Sequence, residues 1–225
     1  MTEHALTKRL VAELLGTGFL VCTVVGSGIM AANLADGNIA LALLCNTIPT
    51  GAILFVLITI FGPLSGAHFN PAVSVALAMR NLLPWSETAP YIAAQIIGGL
   101  LGSIAAHLMF DLPLLQIAAT DRTGIGQWSG EFIATFGLLA TILGCIRLKP
   151  DAVAMAVGLY ITSAYWFTSS TSFANPAVTI GRAISDSFAG INPGDVPLFI
   201  IMQMLGALAA VALFSWLLAP DETSA

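Results

Sequence analysis

Two carboxylates, Glu13 and Glu131, and one histidine, His68, stand inside or against long apolar runs of this sequence. So do two identical tetrapeptides, Asn70-Pro71-Ala72-Val73 and Asn175-Pro176-Ala177-Val178. A charge inside a bilayer costs at least about 2.5–3.5 kcal/mol unless it is satisfied. Such a carboxylate therefore either serves a proton- or ion-coupled transporter or accepts from backbone that has lost its own partners. His68 can gate or sense pH, or can simply line a polar vestibule. Asn is a strong N-cap and Pro is favoured at the first helical position, so each tetrapeptide starts a helix. The Asn side chains then either donate into a pore or do no more than cap. No nucleophile–base set, metal cluster or nucleotide-binding motif appears, so neither an enzyme nor a cofactor is expected. Cys22, Cys45 and Cys145 lie in apolar runs, are odd in number and read as packed side chains rather than a disulfide framework. His4 and His107 carry no signal.

The elements that hold these residues follow from composition. Of 225 residues, 57% are hydrophobic and 8% charged, and the mean hydropathy is +0.92. A soluble domain is about 25% charged, so this is an integral membrane protein. The apolar runs are near-continuous instead of alternating with period two, which selects helices over a barrel. The net charge of −5 comes partly from Asp221 and Glu222. It says little about partners, and no nucleic acid is expected. The first apolar run carries Glu13 and is too long for a signal-peptide core, so no cleavable signal is expected.

Six spans are predicted at about 10–32, 39–61, 88–109, 128–147, 152–168 and 197–218, the second interrupted by Pro49. A turn-rich stretch, residues 62–69, breaks helix before the first tetrapeptide, and a Ser/Thr-rich loop, 168–172, precedes the second. The helical runs Pro71–Arg80 and Pro176–Ser185 have ten residues each. At 1.5 Å per residue each is about 15 Å long, half of the roughly 30 Å hydrocarbon core. Two such half-helices meeting N-terminus to N-terminus put Asn70 and Asn175 near the midplane, which is the geometry of a pore.

The halves match in more than the tetrapeptide. Glu13-x-x-x-Thr17 recurs as Glu131-x-x-x-Thr135, and Gln95-x-x-Gly98 recurs as Gln203-x-x-Gly206. The offsets are 118, 105 and 108 residues for Glu, Asn and Gln, so order is kept while loop lengths differ. Three spans per half is an odd number, which makes residues 10–110 and 128–218 an inverted repeat within one channel domain, 1–225. Gly98 and Gly102, in small-xxx-small spacing, permit close helix packing. With a cytoplasmic N-terminus, inside loops hold Lys8, Arg9, Arg80, Arg147 and Lys149 and outside loops hold Arg122 and Arg182. Five against two supports both termini inside.

These residues, above all Ser65-Gly66-Ala67-His68-Phe69-Asn70-Pro71-Ala72 and the paired Asn-Pro-Ala motifs, resemble the aquaporin and aquaglyceroporin family, the major intrinsic proteins. The resemblance runs from Glu13 to about Gln203. It implies six spans plus two re-entrant half-helices, a pore in each protomer, a plasma-membrane location and a homotetramer. It also implies that Asn70 and Asn175 donate into the pore midplane, where the positive ends of both half-helix dipoles oppose cations. By the same resemblance Glu13, Glu131, Gln95 and Gln203 support re-entrant backbone, and His68 lines the cytoplasmic vestibule.

One departure from the family pattern stands out. The residue after the second Asn-Pro-Ala, usually the Arg of the outer constriction, is here Val178, with Arg182 one turn further along and expected too far outward to replace it. The other filter positions, carried over by spacing, are Thr50, Ser163 and Ser172. Water-selective relatives place Phe and His at the first two, and glycerol-conducting relatives a large aromatic at the first. Small side chains without a guanidinium imply a wide, arginine-free constriction, unless Phe173 or Trp166 swings into it. The expected cargo is small uncharged solutes: glycerol-like polyols, urea, neutral metalloid hydroxides such as arsenite, and water. Some bacterial relatives that this altered filter resembles are associated with arsenic handling. The rival readings are a coupled transporter using Glu13 or Glu131, and a non-conducting structural member of the same fold.

Overall fold

The structure, a computed structural model, describes residues 4–220; Asp221 and Glu222 lie outside the described residues. Among the described residues eight α-helices follow in order: α1 (Leu6–Leu34), α2 (Ile39–Ser65), α3 (Pro71–Met79), α4 (Trp85–Met109), α5 (Ile125–Leu148), α6 (Val153–Phe167), α7 (Pro176–Ala183) and α8 (Val196–Leu217). There is no strand among the described residues. Five helices (α1, α2, α4, α5 and α8) are long and apolar enough to cross a membrane. The remaining span, α6, the fifth in chain order, has 15 residues and is continued backwards by a 3-10 turn at Pro150–Ala152. Together they reach about 28 Å, close to the hydrocarbon thickness. Large apolar side chains such as Phe19, Phe55, Leu101, Ile133 and Leu159 stand exposed on the outer faces, the surface that lipid requires and water would not tolerate.

Pro49 does not interrupt the second span. It sits inside α2, as does Pro63, and the helix runs on to Ser65. In lipid the freed carbonyl costs less than ending the helix, because every residue that left the helix would strand further backbone groups. The helix stops instead at Gly66, whose φ of +88° closes a left-handed C-cap onto the carbonyl of Gly62.

The packing pairs the two halves element by element. Helix α1 packs on α2 and α4, and α5 packs on α6 and α8. The halves join where α2 meets α6 and where each short helix reaches the other half, α3 against α8 and α7 against α4. The recurring Gln-x-x-Gly sets the closest crossings. Gly98 on α4 faces the carbonyl of Leu14, and Gly206 on α8 faces that of Phe132, so a Cβ at either would overlap backbone. Leu14 and Phe132 directly follow Glu13 and Glu131. The glycine and the carboxylate are therefore parts of one crossing, built twice. Gly102 meets the carbonyl of Gly18 in the same manner.

Candidate pore

Helices α3 and α7 are nine and eight residues long, slightly shorter than their ten-residue expectations, because Arg80 and Ile184 already leave the helical region as C-caps. Their N-termini meet. Asn70 caps α3 with φ −157° and ψ 119°, and Asn175 caps α7 with φ −159° and ψ 113°. Each side-chain oxygen accepts from its own helix, Asn70 Oδ1 from Ala72 N–H at 2.9 Å and Asn175 Oδ1 from Ala177 N–H at 2.9 Å. Each amide crosses to the other half: Asn70 Nδ2 donates to the Ala174 carbonyl at 2.7 Å, and Asn175 Nδ2 donates to the Phe69 carbonyl at 2.8 Å. An Nδ2 has two hydrogens, so each Asn keeps a second donor for whatever stands in the cavity it lines.

The loops that deliver these caps are strained and are held by the buried carboxylates. Ala67, Phe69, Ser172 and Ala174 all adopt φ between +48° and +50°, a left-handed conformation that costs roughly 1–2 kcal/mol per non-glycine residue. Glu13 accepts from the N–H of His68 at 3.0 Å and of Phe69 at 2.7 Å. Glu131 accepts from the N–H of Phe173 and of Ala174, both at 2.9 Å. Behind them, Gln95 donates to Glu13 at 2.8 Å and to Ser74 at 2.9 Å, and Gln203 donates to Glu131 at 2.6 Å and to Thr179 at 2.9 Å. Both carboxylates are fully buried, and neither reaches the space between the halves.

That space is a cavity of about 660 Å³ running past both Asn residues. Its walls are largely apolar, with Leu20, Leu54, Val73, Leu138 and Val157 among them, and polar groups come both from the re-entrant loops and from Thr50, Thr59, Asp151 and Tyr165 on the surrounding elements. His68 lines it, with Nδ1 3.0 Å from Ser74 Oγ. Thr50, Ser172 and Val178 line it too. Thr50 Oγ1 donates to the Asn46 carbonyl at 2.9 Å, and Ser172 Oγ is buried without a partner among the described residues.

Ser163 does not belong to this set. It is exposed on the outer face of α6, where its hydroxyl donates to the Tyr160 carbonyl at 2.8 Å. The face of α6 that meets the cavity carries Val157, Ile161 and Tyr165, spaced four apart, and Ser163 falls off that stripe. Tyr165 places its hydroxyl 3.3 Å from Thr50 Oγ1.

The cavity wall also holds an arginine and the large aromatic side chains of Phe173 and Tyr165. Arg182 lines the cavity, four residues beyond Val178 and so on the same face of α7. Its guanidinium carbon lies 3.3 Å from the centroid of the Phe173 ring, and its Nε donates to the Ala189 carbonyl. Phe173 itself lines the cavity and packs edge-on against Phe199 at 5.2 Å, while Trp166 is exposed on the outer face. A second cation, Arg122 from the α4–α5 connection, sits 4.8 Å from the same Phe173 ring. The spacing of Arg182 from Val178, and the four-residue stripe ending at Tyr165, are signals present in the sequence. Nothing local points Arg122 inward; only the folding of its loop does.

These features define a multi-pass helical membrane protein whose two halves each contribute a short helix to the wall of one cavity. The chain belongs to the Major intrinsic protein family, which matches residues 1–150 and 145–224. It is 58% identical to aquaglyceroporin AqpS of Rhizobium meliloti (strain 1021) over 98% of this chain and 94% of that one. It is 31% identical to the glycerol uptake facilitator protein of Streptococcus pneumoniae (strain ATCC BAA-255 / R6), covering 92% of this chain and 98% of that one. Among solved structures, the aquaglyceroporin from Plasmodium falciparum matches with a TM-score of 0.74 at 19% identity, over 96% of this chain and 98% of that one. The chain is an aquaglyceroporin-type homologue, a passive solute channel by family and an integral membrane protein.

Proposed function

We propose that the chain is one domain, two inverted repeats at about residues 10–110 and 128–218, forming a channel for small uncharged solutes. The cargo comprises glycerol-like polyols, urea, water and neutral metalloid hydroxides such as arsenite. The observation that carries this reading is the reciprocal clasp of Asn70 and Asn175 at the meeting point of two helix N-termini inside the cavity. Each Asn has one amide hydrogen committed to backbone, so the other is aimed by a rigid frame. Two such donors hold the oxygen of a permeant molecule, while both helix dipoles, about half a charge each, oppose cations. A polyol suits the remainder: its hydroxyls meet the polar strip and its CH groups meet the apolar wall. The relatives named an aquaglyceroporin and a glycerol uptake facilitator support that choice.

In this reading Thr50, Ser172 and Val178, joined by Tyr165 and Phe173, shape the constriction, and His68 lines the vestibule on the cytoplasmic side. Glu13, Glu131, Gln95 and Gln203 are structural supports. Their carboxylates, committed to loop N–H groups and absent from the cavity wall, argue against a transporter coupled through Glu13 or Glu131. Both termini are assigned to the cytoplasm, the membrane to the plasma membrane, and the assembly to a homotetramer in lipid. A stopped-flow panel of water, glycerol, urea and arsenite on purified protein in vesicles tests the function. Flux indifferent to collapse of the proton gradient is expected; dependence on that gradient overturns the channel, and no flux of any solute points to a non-conducting member.

A further inference from the structure

Arg182 lines the cavity, Arg122 from the α4–α5 connection stands against the same Phe173 ring, and the Asn70–Asn175 clasp involves neither. Arg182 is 1% exposed. Its flat face lies on Phe173, its Nε is tied to the Ala189 carbonyl, and its Nη1 is buried with no partner among the described residues. Arg122 donates its Nε to the next carbonyl, Gly190, at 2.8 Å, and its Nη1 lies 3.4 Å from the Ser170 carbonyl. One turn, with two consecutive carbonyls, thus fixes both cations around one aromatic ring. The salt bridge present among the described residues, Arg9 to Glu87, involves neither. Glu131 lies behind the loop, but its oxygens are taken by Phe173, Ala174 and Gln203.

A buried guanidinium with an idle donor and no counter-ion is a cost to folding, so its retention asks for a use. An oxygen-bearing solute passing Arg182 supplies the missing acceptor, whereas a cation meets two like charges in a narrow, weakly screened space. We infer that Arg182, backed by Arg122, is the donor and charge element of the constriction. It does from one turn away what Val178 cannot, and it excludes small cations from the conduit. Stacking on Phe173 keeps the guanidinium against the wall, so the charge is present without closing the passage. This inference rests on the channel reading above.

Urea and guanidinium have nearly the same shape and differ in charge, which makes them the probes. Vesicles containing the purified full chain are loaded with glycerol, urea or guanidinium, and the wild type is expected to pass the first two and to exclude the third. Arg182→Ala should raise the guanidinium-to-glycerol flux ratio at least about tenfold, Arg122→Ala should raise it less, and Arg182→Lys should stay near wild type. An unchanged ratio in Arg182→Ala with glycerol flux intact overturns the inference. So does a parallel rise in urea, which means widening rather than loss of charge. Should Arg182→Ala not fold, Arg182→Gln keeps a donor and removes the charge; a raised ratio supports the inference and an unchanged one overturns it. A wild type that passes neither glycerol nor urea overturns the channel reading, and this inference with it.

Discussion

Asn70 donates its side-chain amide to the carbonyl of Ala174 at 2.7 Å, so the first short helix is fastened to the residue just before the second Asn-Pro-Ala. The converse bond from Asn175 to Phe69 makes the fastening mutual. Cap and clasp use opposite ends of the same amide, which is why Asn, with both acceptor and donor, is needed where Asp or Ser would suffice as a cap alone.

Asn70→Asp tests that requirement. The carboxylate still caps Ala72, but it faces the Ala174 carbonyl with a second acceptor and puts a negative charge beside two positive helix ends. Loss of the clasp is expected to cost roughly 1–3 kcal/mol of stability, read by thermal unfolding in detergent. Proton conductance in vesicles carrying a pH-sensitive dye should rise above wild type. Conductance equal to wild type would count against a pore role for Asn70.

Glu131→Gln separates support from coupling. The carboxylate accepts three hydrogen bonds, two of them from N–H groups of a loop whose residues sit at positive φ. A glutamine offers one acceptor oxygen and presses an NH₂ against a donor, leaving at least one buried N–H unmatched at a cost of about 1–3 kcal/mol. The yield of folded protein should drop while glycerol flux per folded molecule holds. Normal yield with abolished flux would instead favour a transporter that titrates this group.

Membrane physics narrows the choices enough to make most of this fold legible in the sequence. Apolar runs in lipid must be helices, and the Asn-Pro starts with three ordered repeats mark where the half-helices begin and that they face each other. Pro49 departs from its expected helix break because that rule assumes water is there to take up the freed groups. Ser163 falls outside the constriction because counting back from Asn175 assumes a fixed loop, whereas the four-residue stripe Val157, Ile161, Tyr165 depends only on helix geometry. Arg182 reaches the cavity despite its distance along the chain, since four residues on a helix keep one face. Arg122 has no local pattern at all: the carbonyl of Gly190, far along the chain, decides where it points.

The α6 face gives a paired prediction. Ser163→Trp places a large side chain toward lipid and should leave glycerol flux within about twofold of wild type. Tyr165→Ala removes a ring from the cavity wall beside Thr50. Flux of larger polyols relative to glycerol should then rise, at a stability cost of about 3–5 kcal/mol for a large-to-small core change. Comparing five-carbon polyols with glycerol in the two variants checks both. A Ser163→Trp protein that blocks flux while Tyr165→Ala leaves selectivity unchanged would return the filter position to Ser163.

Val178→Arg asks what a guanidinium does at a site where the protein has none. Val178 and Arg182 share a face of α7 one turn apart, about 5–6 Å between Cβ atoms, and both line the cavity. A second long cation there has no carboxylate to pair with, so it must either extend across the conduit or crowd Arg182 off Phe173. Either way the passage narrows, and flux of glycerol and urea relative to water should fall at least about tenfold, as pore diameter sets the upper bound on cargo. Val178→Leu adds bulk without charge and should lower the same ratio by less. If stopped-flow traces for water, glycerol, urea and arsenite are all unchanged in Val178→Arg, residue 178 does not stand at the constriction, since no rearrangement hides an unpaired guanidinium in an apolar wall without cost.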